Sequence, residues 1–109
     1  MQWPAHLAHF FGGLFFANAI PHLIAGISGH SLQTPFASPP FRGLSPPGVN
    51  VAWALANIFI AYLLLVHVEQ FDLQSWSDAG VGFAGFGAWA LQCARAFSRI
   101  REEAPPTPR

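Results

Sequence analysis

Charge is what this sequence has least of. Of its 109 residues only 9% are Asp, Glu, Lys or Arg, against about 25% in an ordinary soluble domain. No charged side chain precedes Arg42, none lies between Arg42 and Glu69, and none lies between Asp78 and Arg95. The formal net charge is zero, so there is no basic footprint for nucleic acid. Cysteine is nearly absent too. Cys93 stands alone, which excludes an internal disulfide, and no Cys/His pair has zinc-ligand spacing. It reads as a small apolar packing residue. The opening Met1-Gln2-Trp3-Pro4 has no Lys or Arg, so the positive region of a signal peptide is missing. The first apolar stretch is therefore read as a helix of the mature chain.

What fills the uncharged runs is apolar, at 52% of the chain. Runs of this kind match the ~20 residues that cross a hydrocarbon core of ~30 Å at 1.5 Å rise per residue. The expected fold class is all-α, an integral membrane bundle of three transmembrane helices within residues 1–100, with spans at 4–29, 49–68 and 78–97. Trp3 and Trp76 sit where interfacial anchors belong. Pro21 lies inside the first span; its ring frees the carbonyl of Ala17 and predicts a kink rather than a break. Ser75-Trp76-Ser77-Asp78 has the pattern of a capping box before the third span. Residues 31–48 carry prolines at 35, 39, 40, 46 and 47, which predicts a loop without helix or sheet pairing. Residues 101–109 read as a polar, proline-rich, disordered tail.

The arginines give a direction. Arg42 falls in the first loop, Arg99, Arg101 and Arg109 fall at the C-terminal end, and Arg95 can snorkel to the same side. The loop 69–77 has acids and no base. Positive charge collects on the cytoplasmic side, so the expectation is a multi-pass protein of the cell membrane, N-terminus outside and C-terminus cytoplasmic.

With a direction, residues on different helices can be compared by depth. Asn18, Asn57 and Gln92 each fall about 18–20 Å below the outer boundary at 1.5 Å per residue. His22, Trp53 and Arg95 fall about one turn deeper. Asn18 and His22 share a face at i, i+4, and Asn50, Trp53 and Asn57 share one stripe. Polar groups in lipid turn inward, which makes Asn18, His22, Asn50, Trp53, Asn57 and Gln92 the candidate ligand- or cofactor-binding set. The same amides could equally be interhelical hydrogen-bond glue. A second group, His6, His9 and His67, gathers at the opposite end beside Glu69 and Asp72, and could bind a transition metal or ligate a pigment.

Small residues form ridges: Gly80, Ala84 and Ala88 in the third span, with Gly82, Gly85 and Gly87 around them, and Gly12, Gly13 and Ala17 in the first. Such ridges let helices approach closely, and three short helices can hardly bury all of them. The expected function is that of an accessory or structural subunit, packing in the lipid bilayer against other membrane subunits or copies of itself as a homo-oligomer. The alternatives are a membrane cofactor binder holding haem, pigment or quinone at His22 or at His6, His9 and His67, and a small oligomeric transporter or channel. The first span contains no acid, so proton-coupled transport lacks its titratable carboxylate. An enzyme using His22 as a base has no nucleophile–base motif behind it.

Overall fold

The structure is a computed structural model and describes residues 3–103. Three helices account for most of it: α1 (Trp3–Ile27), α2 (Pro47–Tyr62) and α3 (Trp76–Glu103). A short two-stranded ladder, β1 (Leu32–Gln33) and β2 (Leu44–Ser45), stands between α1 and α2. The bundle measures 55 × 24 × 22 Å. Two of its helical rods, Trp3–Ile27 and Pro47–Val68, are long and apolar enough to cross a membrane.

Each helix boundary has a local cause. α1 runs through Pro21 without interruption and ends in a Schellman motif. Gly29 takes φ +76°, His30 N–H reaches the carbonyl of Ala25 at 2.8 Å, and Gly29 N–H reaches that of Gly26 at 3.1 Å. α2 opens on Pro47, where a missing N–H costs nothing. The six residues that follow α2, Leu63–Val68, continue the rod as a wider π-helical stretch. Ser75 Oγ accepts the N–H of Asp78 at 3.2 Å, one half of the capping box at the start of α3. The reciprocal half is not made, because the Asp78 carboxylate instead accepts the N–H of Asp72 at 3.0 Å.

Two expectations need correcting. The proline-rich loop does pair: Leu32 faces Ser45 and Gln33 faces Leu44 in an antiparallel ladder. The prolines lie between the two strands and just after the second, so every N–H the ladder needs is present. The third helix also outruns its predicted span at both ends, and residues 101–103 are helical rather than part of a tail. Residues 104–109 lie outside the described residues.

Packing is inverted relative to a water-soluble bundle. Among the described residues the core holds alanine, glycine and polar side chains, and its largest fully buried members are His9, Asn50, Asn57 and Thr34. The large apolar side chains point outward, including Phe11, Phe16 and Ile24 of α1, Leu55 and Phe59 of α2, and Phe83 and Leu91 of α3. Small residues bring the backbones together. A Cβ on Gly85 would collide with the carbonyl of Phe10, and one on Gly13 with the carbonyl of Gly82, so α1 and α3 meet main chain to main chain. On the other side of α1, Gly26 faces Pro47 and Val51 of α2. By contrast Gly80, Ala84 and Ala88 lie exposed on the outside of α3.

Candidate functional site

α1 packs along both α2 and α3, whereas α2 and α3 make no comparable contact with each other. They splay apart over α1 and leave a cleft. A cavity of about 590 Å³ occupies it, floored by α1, walled by α2 and α3, and capped at one end by the β1–β2 loop. The walls are largely aromatic and apolar, with Phe15, Trp53, Trp89 and Phe97 among them.

The structure places five of the six sequence-derived candidates, Asn18, His22, Trp53, Asn57 and Gln92, on the lining of this one cavity. Asn50 lies behind it, fully buried and hydrogen-bonded to His22. Its Nδ2 stands 3.1–3.2 Å from the carbonyls of Leu32, Ser45 and Pro46. An oxygen in that position would face three other oxygens, so the amide orientation is fixed and Oδ1 can only accept. His22 Nδ1, 2.8 Å from that Oδ1, must therefore carry the proton and donate it. Neutral His22 is thus held as the Nδ1–H tautomer. Its Nε2 keeps a lone pair and makes no hydrogen bond among the described residues, and the residue, 4% exposed, is part of the cavity lining.

One turn toward the N-terminus of α1, the amides form a second chain. Asn18 Nδ2 donates to Asn57 Oδ1 at 3.0 Å, and Asn57 Nδ2 donates to the carbonyl of Trp53 at 2.8 Å. The oxygen of Asn18 accepts from the indole N–H of Trp89 at 2.7 Å. All three helices are joined at this level by side-chain hydrogen bonds. The third participant is Trp89 and not Gln92, which lines the cavity with an exposed side chain. Arg95, which counts to the level of His22, is exposed and does not line the cavity.

Sequence reasoning missed Trp89 and both arginines of the cavity, Arg42 and Arg99. Trp89 precedes Gln92 by one helical turn, and an indole N–H in an apolar segment needs an acceptor, so the signal was available. Arg42 pairs with Glu103, which ties the β1–β2 loop to the C-terminal end of α3.

The histidine group at the other end does not assemble. His9 is buried and donates from Nε2 to the carbonyl of Glu69 at 2.9 Å, with Nδ1 3.5 Å from Asp78 Oδ1, an ion-pair distance without hydrogen-bond geometry. His67 instead shares a 3.1 Å hydrogen bond with the Tyr62 hydroxyl. Among the described residues, no group of three or more His, Cys, Asp or Glu is placed to hold a metal ion. Of the three histidines His6, His9 and His67, His9 thus links α1 to the segment before α3 and His67 bonds within its own helical rod.

No family model, curated protein or solved structure matches this chain.

Proposed function

We propose that this chain is a three-span membrane protein that holds a planar, lipid-soluble cofactor of haem, pigment or quinone type in the cavity beside His22. The membrane setting is supported by the inverted packing. Large apolar side chains turned outward over a core of alanine, glycine and hydrogen-bonded amides suit a surrounding solvent of hydrocarbon. α3 falls short of the apolarity of the other two helices, yet its path argues for a third crossing. It starts at the end of the bundle where α2 finishes, and it ends where Glu103 meets Arg42 in the loop before α2. If α2 crosses, α3 must cross back. Collecting the arginines on the cytoplasmic side then puts the β1–β2 loop and the end of α3 inside.

The ligand reading rests on one observation, the locked His22. An imidazole whose Nδ1–H is held by a fixed acceptor presents its Nε2 in a set orientation, the arrangement that metal-ligating histidines use. Interhelical glue leaves no such lone pair spare beside a cavity within the ~300–1,000 Å³ that small-molecule sites occupy. The test is purification from native membranes, followed by an absorption spectrum and analysis of extracted small molecules. A chromophore or quinone should accompany the parent protein and be lost from His22→Ala, with helix content unchanged by circular dichroism. A colourless, quinone-free parent, or a His22→Ala variant that keeps the ligand, would end this reading.

A second reading, accessory subunit, is compatible with the first and has its own support. The ridge Gly80–Ala84–Ala88 lies on the outside of α3, and a Cβ at Gly80 would meet nothing within 4 Å. A small-residue face left open to lipid suits a further helix, from a copy or from another subunit. Native mass measurement in mild detergent tests it, and a lone monomer counts against it.

A further inference from the structure

The cavity has a charged end. Beside His22 its walls are apolar and aromatic, but Arg42 and Arg99 both line it where the β1–β2 loop meets the end of α3. Arg42 is paired with Glu103. Arg99 lies one turn before Glu103 on the same face of α3, and no carboxylate stands within ion-pair distance of it among the described residues. One of the two arginines at the rim of this apolar chamber is thus paired with a carboxylate and the other is not, an arrangement suited to a further anion. Guanidinium is the side chain best matched to carboxylate, because its planar fork donates two parallel hydrogen bonds.

Resting on the reading of the cavity as a ligand site, we propose that its ligand is a carboxylate-bearing metallotetrapyrrole. Its metal is ligated by His22 Nε2, and its carboxylate group lies at Arg42 and Arg99, where it displaces Glu103 from Arg42. The two ends of the cavity select together. A quinone offers only carbonyl oxygens, which are acceptors and find no donor in a bare Nε2, and it has no anion for the arginines. A metal centre takes the lone pair, and a flat apolar ring suits walls that include Trp53, Trp89 and Phe97. Carboxylates at the loop end would lie at headgroup depth, where arginine side chains are stable. Glu103 holds Arg42 in place before the ligand arrives, and an exposed pair of this kind is weak enough to exchange.

The experiment titrates the full chain in zwitterionic detergent with iron(III) protoporphyrin IX and, separately, with its dimethyl ester, following the Soret band. Both probes should give a shift that His22→Ala abolishes, and the free acid should bind more tightly. The double variant Arg42→Gln/Arg99→Gln should weaken the free acid about tenfold or more and leave the ester within about twofold, since one bidentate charge pair is worth that much. Glu103→Gln should tighten the free acid by about two- to fivefold, the range of an exposed ion pair. Equal losses for acid and ester in the arginine variant, or no preference for the acid, would overturn the carboxylate assignment while leaving His22 as a ligand. Absence of any His22-dependent shift with either probe would overturn the cofactor reading itself. If instead the arginines serve a phospholipid headgroup, the arginine variant would lose co-purifying anionic lipid with porphyrin affinity unchanged, and the proposal would fall.

Discussion

His22 Nδ1 donates to Asn50 Oδ1 across the α1–α2 interface at 2.8 Å, and both side chains are buried. The bond does two things at once. It fixes which ring nitrogen of His22 is bare, and it connects α1 to the loop, because Asn50 also holds the carbonyls of Leu32, which opens β1, and Ser45, which closes β2. A residue at the start of α2 thereby sets the ladder, the first turn of its own helix and the tautomer of a histidine on another helix.

Asn50 should accordingly be hard to replace. Asn50→Leu leaves His22 Nδ1 and the loop carbonyls without a partner, and should destabilise the chain by about 1–3 kcal/mol, the cost of an unsatisfied buried polar group. Asn50→Asp keeps an acceptor for His22 but turns an anionic oxygen on three carbonyls, and should be no better tolerated. Thermal unfolding in detergent, followed by circular dichroism, checks both. Parent-like stability in Asn50→Leu would mean that the network is dispensable.

The Trp89–Asn18–Asn57 chain makes a different prediction, because its members are joined in pairs. A double-mutant cycle with Asn18→Leu and Trp89→Phe should give a coupling of about 0.6 kcal/mol and not above ~1.7 kcal/mol, the range of hydrogen bonds between membrane helices. A coupling indistinguishable from zero would show that the 2.7 Å bond adds nothing net. Asn57→Leu breaks the bond to Asn18 and should lower stability by a similar amount.

The relative level of residues along the bundle was legible in the sequence, and rotation was less so. Counting 1.5 Å per residue along oppositely directed helices put Asn18 and Asn57 at one level, and the two amides are hydrogen-bonded. The same count chose Gln92 on α3, where the partner is Trp89. A depth scale cannot separate residues one turn apart unless the tilt of the helix is known. It also cannot tell an inward arginine from an outward one, which is why Arg95 was grouped with His22 while Arg99 was passed over. The ladder in the proline loop was missed for another reason. Prolines forbid pairing only where they occupy the ladder, and Leu32, Gln33, Leu44 and Ser45 all keep their N–H groups. The π-helical widening at Leu63–Val68 has no sequence signal that we can name.

The glycines divide into two sets that mutation can separate. Gly13 and Gly85 sit where a Cβ would strike main-chain atoms of the opposing helix. Backbone cannot swing aside as a side chain can, so Gly13→Ala or Gly85→Ala should force α1 and α3 apart and destabilise by about 1–3 kcal/mol. Gly80 and Gly87 have no atoms within 4 Å of that position. There, alanine in the isolated chain should be neutral or stabilising by up to about 1 kcal/mol through helix propensity. Melting curves of the four single variants in one detergent decide the matter. Equal losses at all four would mean that the α1–α3 approach is looser than described.

The third crossing can be decided without any ligand. With Cys93→Ala as background, single cysteines at Phe41, Leu73 and Glu102 report on three places: the β1–β2 loop, the α2–α3 loop and the end of α3. All three side chains are exposed, so reactivity depends on which side of the membrane they occupy. A membrane-impermeant maleimide added to intact cells should label Leu73→Cys at once, and Phe41→Cys and Glu102→Cys only after permeabilisation. If α3 lay along the surface instead of crossing, Glu102→Cys would be labelled together with Leu73→Cys. That result would also contradict the pairing of Arg42 with Glu103, since their side chains would then be on opposite sides of the bilayer. Labelling of Phe41→Cys from outside with Leu73→Cys protected would reverse the orientation drawn from the arginines but keep three spans. The cavity would be unchanged by that reversal, while its arginine end would open to the exterior, so the side from which an anionic ligand enters depends on this measurement.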